Sequence, residues 1–477
     1  MPAYNEMLNN NDSVRRPYGK VAKWIDSMHG NIFEEKHNEA KDLLKRIGIT
    51  FSIYKQNDLN ERLIPFDMVP RIFTSKEWDI LEKGVIQRTK AINLFINDIY
   101  NSGEILKDKI IPPELIYKNK AYEPSMVGFT PPKKIFSHIT GSDIVRTSNN
   151  SFMILEDNCR TPSGVSYMMQ NREIMMRMFP SLFLENSISP IDDYPIFLRN
   201  MLSSVAPKKC NNNEPVIVIL TPGSYNSAYY EHSFLADLMG IELVEGRDLF
   251  VEKDIVYMRT VRGRQKVDVL YRRIDDQYLD PLFFDRNSII GVPGIMSAYR
   301  NGNITICNAP GSGIADDKAI YTYVPDMIKF YLGEKPILKN VKTWKCGNSQ
   351  DLKFVKENIK DLVIKEVHGS GGYGMLIGQY STKNQINLFL KKILKNPENF
   401  IAQPTLSLST CPTYIKNSLE QRHVDFRPFC LQGDSIKLCK GGLTRVALKE
   451  NSLIVNSSQG GGVKDTWILQ PKDNYAK

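Results

Sequence analysis

The stretch Leu362–Gly378 constrains the fold of this 477-residue chain more than any other. It reads LVIKEVHGSGGYGMLIG: an apolar strand carrying Lys365, a glycine-rich turn, then a second short apolar strand. Glycines let a backbone approach a phosphate closely and aim N–H groups at it. A lysine one strand earlier reaches the same anion as a point charge. The spacing Gly369-x-Gly371-x-x-Gly374 also satisfies the dinucleotide fingerprint, but that motif needs a helix directly after the glycines. Here Met375–Ile377 continues as strand, and helical spacing starts only near Asn384. The pattern predicts a strand–loop–strand clamp over nucleotide phosphates, with Gly369, Gly371 and Gly372 in the loop. A protein kinase puts its lysine on the strand after such a loop, whereas Lys365 comes before it. The competing reading is a glycine-rich surface hairpin with no ligand. Lys365 weighs against it. Val363, Ile364 and Val367 place it on a strand buried on at least one side, where a lysine needs an anion. Glu366 points to the opposite face and cannot serve.

Composition narrows the partners. The 62 basic and 53 acidic residues leave a net charge of +9, spread along the chain and not gathered into a stripe. That excludes a nucleic-acid footprint and suits small anionic substrates. Seven scattered cysteines form no C-x-x-C pair. An odd, unpaired set argues for reduced thiols and a cytoplasmic location. No apolar run reaches membrane-spanning length, and Met1–Tyr18 lacks the apolar core of a signal peptide. The absence of H-E-x-x-H speaks against zinc.

Along the chain, Asn9-Asn10-Asn11-Asp12 reads as a loose start, followed by a helix over Phe33–Ile47 and a strand over Ile49–Tyr54. Thr74-Ser75-Lys76-Glu77 is a capping box opening a long helix that stops at Ser102-Gly103. Two strands are expected at Ile135–Val145 and Phe152–Glu156. Asp143, Glu156 and Asn158 sit on their ends, and such hard oxygen ligands suit Mg²⁺ bridging to phosphates. The plainer reading is that they are turn residues. Val216–Leu220 is a continuous apolar run, the mark of a strand buried in a parallel sheet, with a helix at Tyr229–Met239 and a strand after Gly240. Ala315–Ile320 reads as a helix start with Asp316 as N-cap. Lys318 in it contacts a nucleotide or is merely solvated. Gln403, at the end of a strand Phe400–Pro404, offers an amide to an adenine edge. Arg427 and Arg445, beside apolar strands, either pair structurally or grip phosphate and carboxylate. The fold class is α/β (α+β).

With those residues in view, the chain resembles the circularly permuted ATP-grasp type 2 family. The matching stretches include Leu155–Tyr167, Thr221–Tyr229, Val244–Leu249, Tyr271–Asp276, Ala315–Ala319, Lys365–Gly374 and Gly441–Trp467. The resemblance implies a permuted ATP-grasp fold with a Rossmann-like module at 206–314. Around it lie a mostly helical 1–130, a metal-ligand part at 131–205 and a nucleotide-binding part at 315–477. The family is in turn remotely similar to glutathionylspermidine synthetase. That second resemblance implies ATP and Mg²⁺, with Asp143, Glu156 and Asn158 as metal ligands. It also places Lys318, Lys365 and Gln403 on the nucleotide. It implies an ATP-dependent carboxylate–amine ligase acting on small-molecule or peptide substrates through an acyl phosphate. The alternatives are an ATP-binding protein without ligase activity and another phosphotransferase. One position departs from the pattern: Gly141 stands where the ligase has an arginine. A catalytic arginine must then come from Arg160, Arg427 or Arg445.

Overall fold

A 26-residue helix, Ser75–Tyr100, joins two cores. Its capping box closes as expected: Thr74 Oγ1 accepts the Glu77 N–H at 3.3 Å, and Glu77 Oε2 accepts the Thr74 N–H at 2.8 Å. Two otherwise free N–H groups are thereby satisfied. Trp78, Leu81 and Val85 pack with Phe73, Ile144, Ile154 and Phe426. Further along, Ile92, Phe95, Ile96 and Ile99 join a second cluster with Val218, Leu270 and Ile306. The computed structural model describes all residues except 1–2, 29–30, 49, 56–57, 150, 211–213, 370–373, 451, 457–458 and 472–477, and of 50–55 and 58–63 only the backbone.

The first core belongs to a ten-stranded sheet. Its main path runs Lys339–Asn340, Ser151–Asn158, Ile139–Ser148, Ser418–Arg427, Leu443–Val446, Gly462–Ile468, Phe66–Phe73. The two outermost pairings on this path are parallel and the others antiparallel. The second core belongs to a four-stranded parallel sheet in the order Thr305–Cys307, Val269–Arg272, Ile217–Leu220, Glu242–Val244. The continuous apolar run at 216–220 supplies one of its two inner strands, buried throughout over Ile217–Leu220. The third sheet carries the glycine-loop hairpin. Trp344–Lys345, Phe400–Pro404, Leu362–Glu366 and Leu376–Ile377 pair antiparallel in that order. The glycine loop leads into strand, not helix, and the next α-helix, Lys383–Lys395, opens on its own capping box at Thr382. Leu362, Ile364, Leu376, Phe400 and Ala402 pack with Val355, Ile386 and Ile393 of the covering helices. Alternation along the strands therefore turns Val363, Lys365 and Gln403 to the other face. No helix of the described residues is long and apolar enough to cross a membrane.

Several expectations need correction. The strand expected from Ile135 begins at Ile139. Upstream, the N–H groups of Phe136 and Ser137 donate to Asn93 Oδ1 at 3.0 and 2.8 Å, so a helix side chain replaces the ladder there. No α-helix starts at Asp316. Ser312–Asp316 and Ile320–Tyr323 are 3-10 turns, and the α-helix begins at Val324, with Pro325 in its first turn. Asp317, not Asp316, caps locally, accepting from the Ala319 and Ile320 N–H groups. Asp316 instead accepts the Cys159 N–H at 2.5 Å. A buried strand at Phe66–Phe73 was not visible as such in the sequence.

The N-terminal segment is not loose. Asn5 bridges Thr410, and Leu8 bridges Val14 across the Asn9–Asp12 turn. Glu6 is fully buried and accepts from Arg71 Nη2 at 2.7 Å and Arg146 Nη1 at 2.8 Å. Removing one member of a buried ion pair leaves the others uncompensated, at about 3–5 kcal/mol. Glu6→Ala is expected to lower the thermal midpoint by several degrees, while Asn10→Ala, on the exposed turn, leaves it unchanged. Differential scanning calorimetry of the two variants decides this.

Candidate active site

A cleft lies between the large sheet and the hairpin sheet. Val145, Leu155, Val363, Ile377, Leu406 and Leu453 line its apolar part, and Asp143, Glu156, Lys318, Lys365, Gln403, Asp425 and Arg445 its polar part. The large-sheet face is set by register. Asp143 is the direct partner of Glu156, and Gly141 of Asn158. Cross-strand partners share a face, as do residues two apart, so all four positions project to one side. Asp157, between Glu156 and Asn158, points behind the sheet. There Arg88 grips it through Nε at 2.8 Å and Nη2 at 2.6 Å, and Ser142 Oγ donates at 2.9 Å. Asn158 Nδ2 donates to the Gly141 carbonyl at 3.0 Å.

Charges in the cleft are mostly paired. Asp143, 1% exposed, accepts from Arg427 through Nε at 2.5 Å and Nη2 at 2.8 Å, and from Arg445 Nη2 at 2.7 Å. Burial alone would raise its carboxyl, but Arg427 and then Arg445 outweigh that and hold it well below the usual carboxylate range. Arg445 also donates through Nε to Asp425 at 2.9 Å. Burial raises the Asp425 carboxyl, against the pull of Arg445. Lys318 Nζ lies 3.3 Å from Glu156 Oε2 and donates to the Gly369 carbonyl at 2.6 Å, tying the start of the glycine loop to the large sheet. Gly374 holds the other end at φ +69°, where a Cβ would also meet Glu366 Cδ at 2.9 Å. Gly371 and Gly372 lie outside the described residues.

Lys365 differs. Its ammonium has no hydrogen-bond or ion-pair partner among the described residues, although it is half-buried and faces the cleft. Burial pulls it down to about 8, against the effect of Glu156 and with that of Lys318. Gln403, 2% exposed, donates through Nε2 to Thr343 Oγ1 at 3.1 Å, while its Oε1 has no partner among the described residues. A buried amide oxygen without a donor is costly, and here it lies in the cleft wall.

Of the three candidate arginines, the structure brings Arg427 and Arg445 to Asp143. Arg160 lies apart from that cluster, 3.4 Å from Asp275 and 4.0 Å from Asp316. Burial raises the neighbouring Asp316 carboxyl to about 7, against Arg160. At Gly141 a Cβ would stand 3.3 Å from Arg427 Cδ and 3.2 Å from Pro162 Cβ. Arg427, from the neighbouring part of the sheet, thus fills the space above Gly141. Asp425 and Thr343 were missed by sequence reasoning. Asp425 had a signal: it stands two residues before Arg427 on one strand, hence on the same face. Thr343 had none.

A family model described as circularly permuted ATP-grasp type 2 matches residues 70–447. The chain is 46% identical over 468 residues to an uncharacterised protein of Synechocystis sp., covering 98% of this chain and 97% of that one. It is 45% identical over 475 residues to an uncharacterised protein of Mycobacterium tuberculosis, covering 99% and 85%. A Frankia alni protein provisionally named glutamate–cysteine ligase 2-3 is 37% identical over 466 residues; the match covers 98% of this chain but 54% of that longer protein. Among solved structures, a glutathione synthetase-like effector of Globodera pallida superposes with a TM-score of 0.58 at 12% identity, covering 91% of this chain and 96% of the effector. That likeness concerns the fold.

Lys365→Met keeps length and packing but removes the unpaired charge. It is expected to weaken MgATP binding by about 10–100-fold, the worth of one charged hydrogen bond, without lowering the thermal midpoint of the nucleotide-free protein. The pH dependence has a definite sign. Only the protonated amine attracts an anion, and in the free protein it loses its proton near 8. Affinity for MgATP should be flat below about pH 7, then fall as pH rises through 8 and beyond. In Lys365→Met that fall should vanish. Isothermal titration at several pH values checks both; equal affinities would return Lys365 to a structural role.

Proposed function

Because the chain belongs to the circularly permuted ATP-grasp type 2 family, we propose that this cleft binds ATP with Mg²⁺ and that the protein is an ATP-dependent carboxylate–amine ligase. The observation that carries the reading is the Lys365 ammonium, which has no partner among the described residues and shares the cleft lining with Lys318, Asp143 and Glu156. Burial and then the charge of Lys318 pull the Lys365 amine down, and phosphate oxygens would offset the repulsion. The apolar walls suit a flat base, and Gln403 Oε1 lacks the donor that an adenine amino group supplies. The ligase name carried by the Frankia alni relative points the same way.

The donor set fits Mg²⁺. Asp143, Glu156 and the oxygen of Asn158 are hard ligands on one sheet face, and the Asn158 NH₂ is already tied to Gly141. Bound there, the ion would neutralise phosphate charge. Lys365 and Lys318 hold the phosphates under the glycine loop. Arg427 and Arg445 lie where charge develops on the γ-phosphoryl group. Arg427 takes the part that the resemblance gives to an arginine at 141.

The chemistry runs in two steps. An oxygen of the substrate carboxylate attacks the γ-phosphorus; the bond to the β–γ bridging oxygen breaks, and ADP leaves. The acyl phosphate so formed is attacked at its carbonyl carbon by an amine nitrogen. Inorganic phosphate departs, the nitrogen loses a proton, and an amide remains. The protein's contribution is positioning and charge neutralisation in a water-poor cleft.

ADP release, followed with a pool of small peptides and amines, tests this. Release is expected only when a carboxylate and an amine are both present. ATP binding without turnover would favour a regulatory protein, and a stable phosphorylated product without amide would favour a phosphotransferase. Arg427→Lys is expected to lower turnover by about 10²–10³-fold, since lysine cannot reproduce the two-pronged grip.

A further inference from the structure

Before any ligand arrives, the candidate metal carboxylates are already occupied by cations. Asp143 holds Arg427 and Arg445, and Glu156 holds Lys318. We propose that these ion pairs are exchange partners: ATP phosphates take the arginines and Lys318, Mg²⁺ takes the carboxylates they release, and nucleotide and metal bind only together. The proposal rests on the ATP reading above. Its physical basis is that a buried charge gives up one counter-ion only for another. Metal-free ATP would strip Asp143 and Glu156 of their partners, and Mg²⁺ alone would strip Arg427 and Lys318 and leave Arg445 with Asp425 only. Only joint binding leaves every charge compensated.

The geometry suits exchange. Arg427 grips Asp143 with a two-nitrogen fork, and that fork matches a phosphate as well as a carboxylate. Arg445 keeps Asp425 as a second partner, so it stays in place when Asp143 is taken. Lys318 remains anchored on the Gly369 carbonyl, at the entrance of the glycine loop. Lys365, the cleft ammonium without a partner among the described residues, offers the phosphates a first contact that breaks no existing pair.

The proposal predicts a gain of affinity from loss of a metal ligand. Titration calorimetry would compare ATP in EDTA with MgATP. Wild type should bind MgATP at least 100-fold more tightly than metal-free ATP. Asp143→Asn, which releases Arg427 and leaves Arg445 to Asp425 alone, should bind metal-free ATP at least tenfold more tightly than wild type does. Glu156→Gln, at a less buried site, should do the same through Lys318 and decides the matter if Asp143→Asn fails to fold. Glu366→Gln is the control for simple loss of negative charge: strand alternation sets Glu366 on the opposite face from Lys365, yet it reaches the cleft lining, where it has no cation partner among the described residues; it should change metal-free affinity less than about twofold. No gain in the two ligand variants, or an equal gain in Glu366→Gln, overturns the exchange. If wild type fails to bind MgATP at all, the nucleotide reading falls first and the exchange with it; binding without the gain overturns the exchange alone.

Discussion

The grip of Arg88 on Asp157 sets the rest of the site. It joins the long helix to the strand that carries Glu156 and Asn158, and it is completely buried. A strand has two faces and residues alternate between them. Pinning Asp157 behind the sheet therefore commits Glu156 and Asn158 to the front. A slip of one residue would exchange the faces and bury the wrong carboxylates. The ion pair contributes little net stability as such, since desolvation offsets most of the attraction, but losing either partner is costly. Its effect is to make one register far better than its neighbours.

A second polar residue aligns the parallel sheet with this face. Asn308 follows the edge strand Thr305–Cys307. Its Oδ1 accepts the N–H groups of His138 and Ile139 at 2.7 and 2.9 Å. Its Nδ2 donates to the carbonyls of Ile139 and Cys159 at 2.7 and 2.8 Å. One buried amide thus ties the start of the Asp143 strand and the end of the Glu156 strand to the parallel sheet. Every arm is satisfied, which is the condition under which a buried polar group specifies structure.

Within the cleft, satisfaction is uneven in an informative way. Asp143, Asp425 and Glu156 each have cations, and those cations have carboxylates. The Lys365 ammonium and Gln403 Oε1 do not have partners among the described residues. Elsewhere buried charges meet counter-charges, as Glu6 does with Arg71 and Arg146. Single polar atoms without a partner among the described residues occur elsewhere too, among them both ring nitrogens of His138 and the Tyr299 hydroxyl, but in this cleft a whole ammonium and an amide oxygen lie side by side in one lining, where a ligand can complete both.

Local pattern was enough for much of the architecture. The hairpin around Lys365, the capped helix after Thr74 and the buried strand near Val216 are written in nearest-neighbour terms: turn chemistry, caps and periodicity. The candidate oxygen ligands Asp143, Glu156 and Asn158 were legible because strand alternation and one hairpin place them on one face. Three things were not. That Glu6 is a core residue depends on arginines 65 and 140 positions away. That Asp316 caps no helix depends on the Cys159 N–H, 157 positions away. That Arg427, and not a residue at 141, stands over the Asp143 face depends on a strand pairing that spans 282 positions, Phe426 against Ile144. The sequence by itself determined most of the strands, helices and loops, because those choices are made largely within a few residues; the strand Phe66–Phe73 and the 3-10 turns around Asp316 are the exceptions. Which charges meet was decided by tertiary structure alone, because a carboxylate's partner is chosen by sheet order and register, and neither leaves a local trace in the chain.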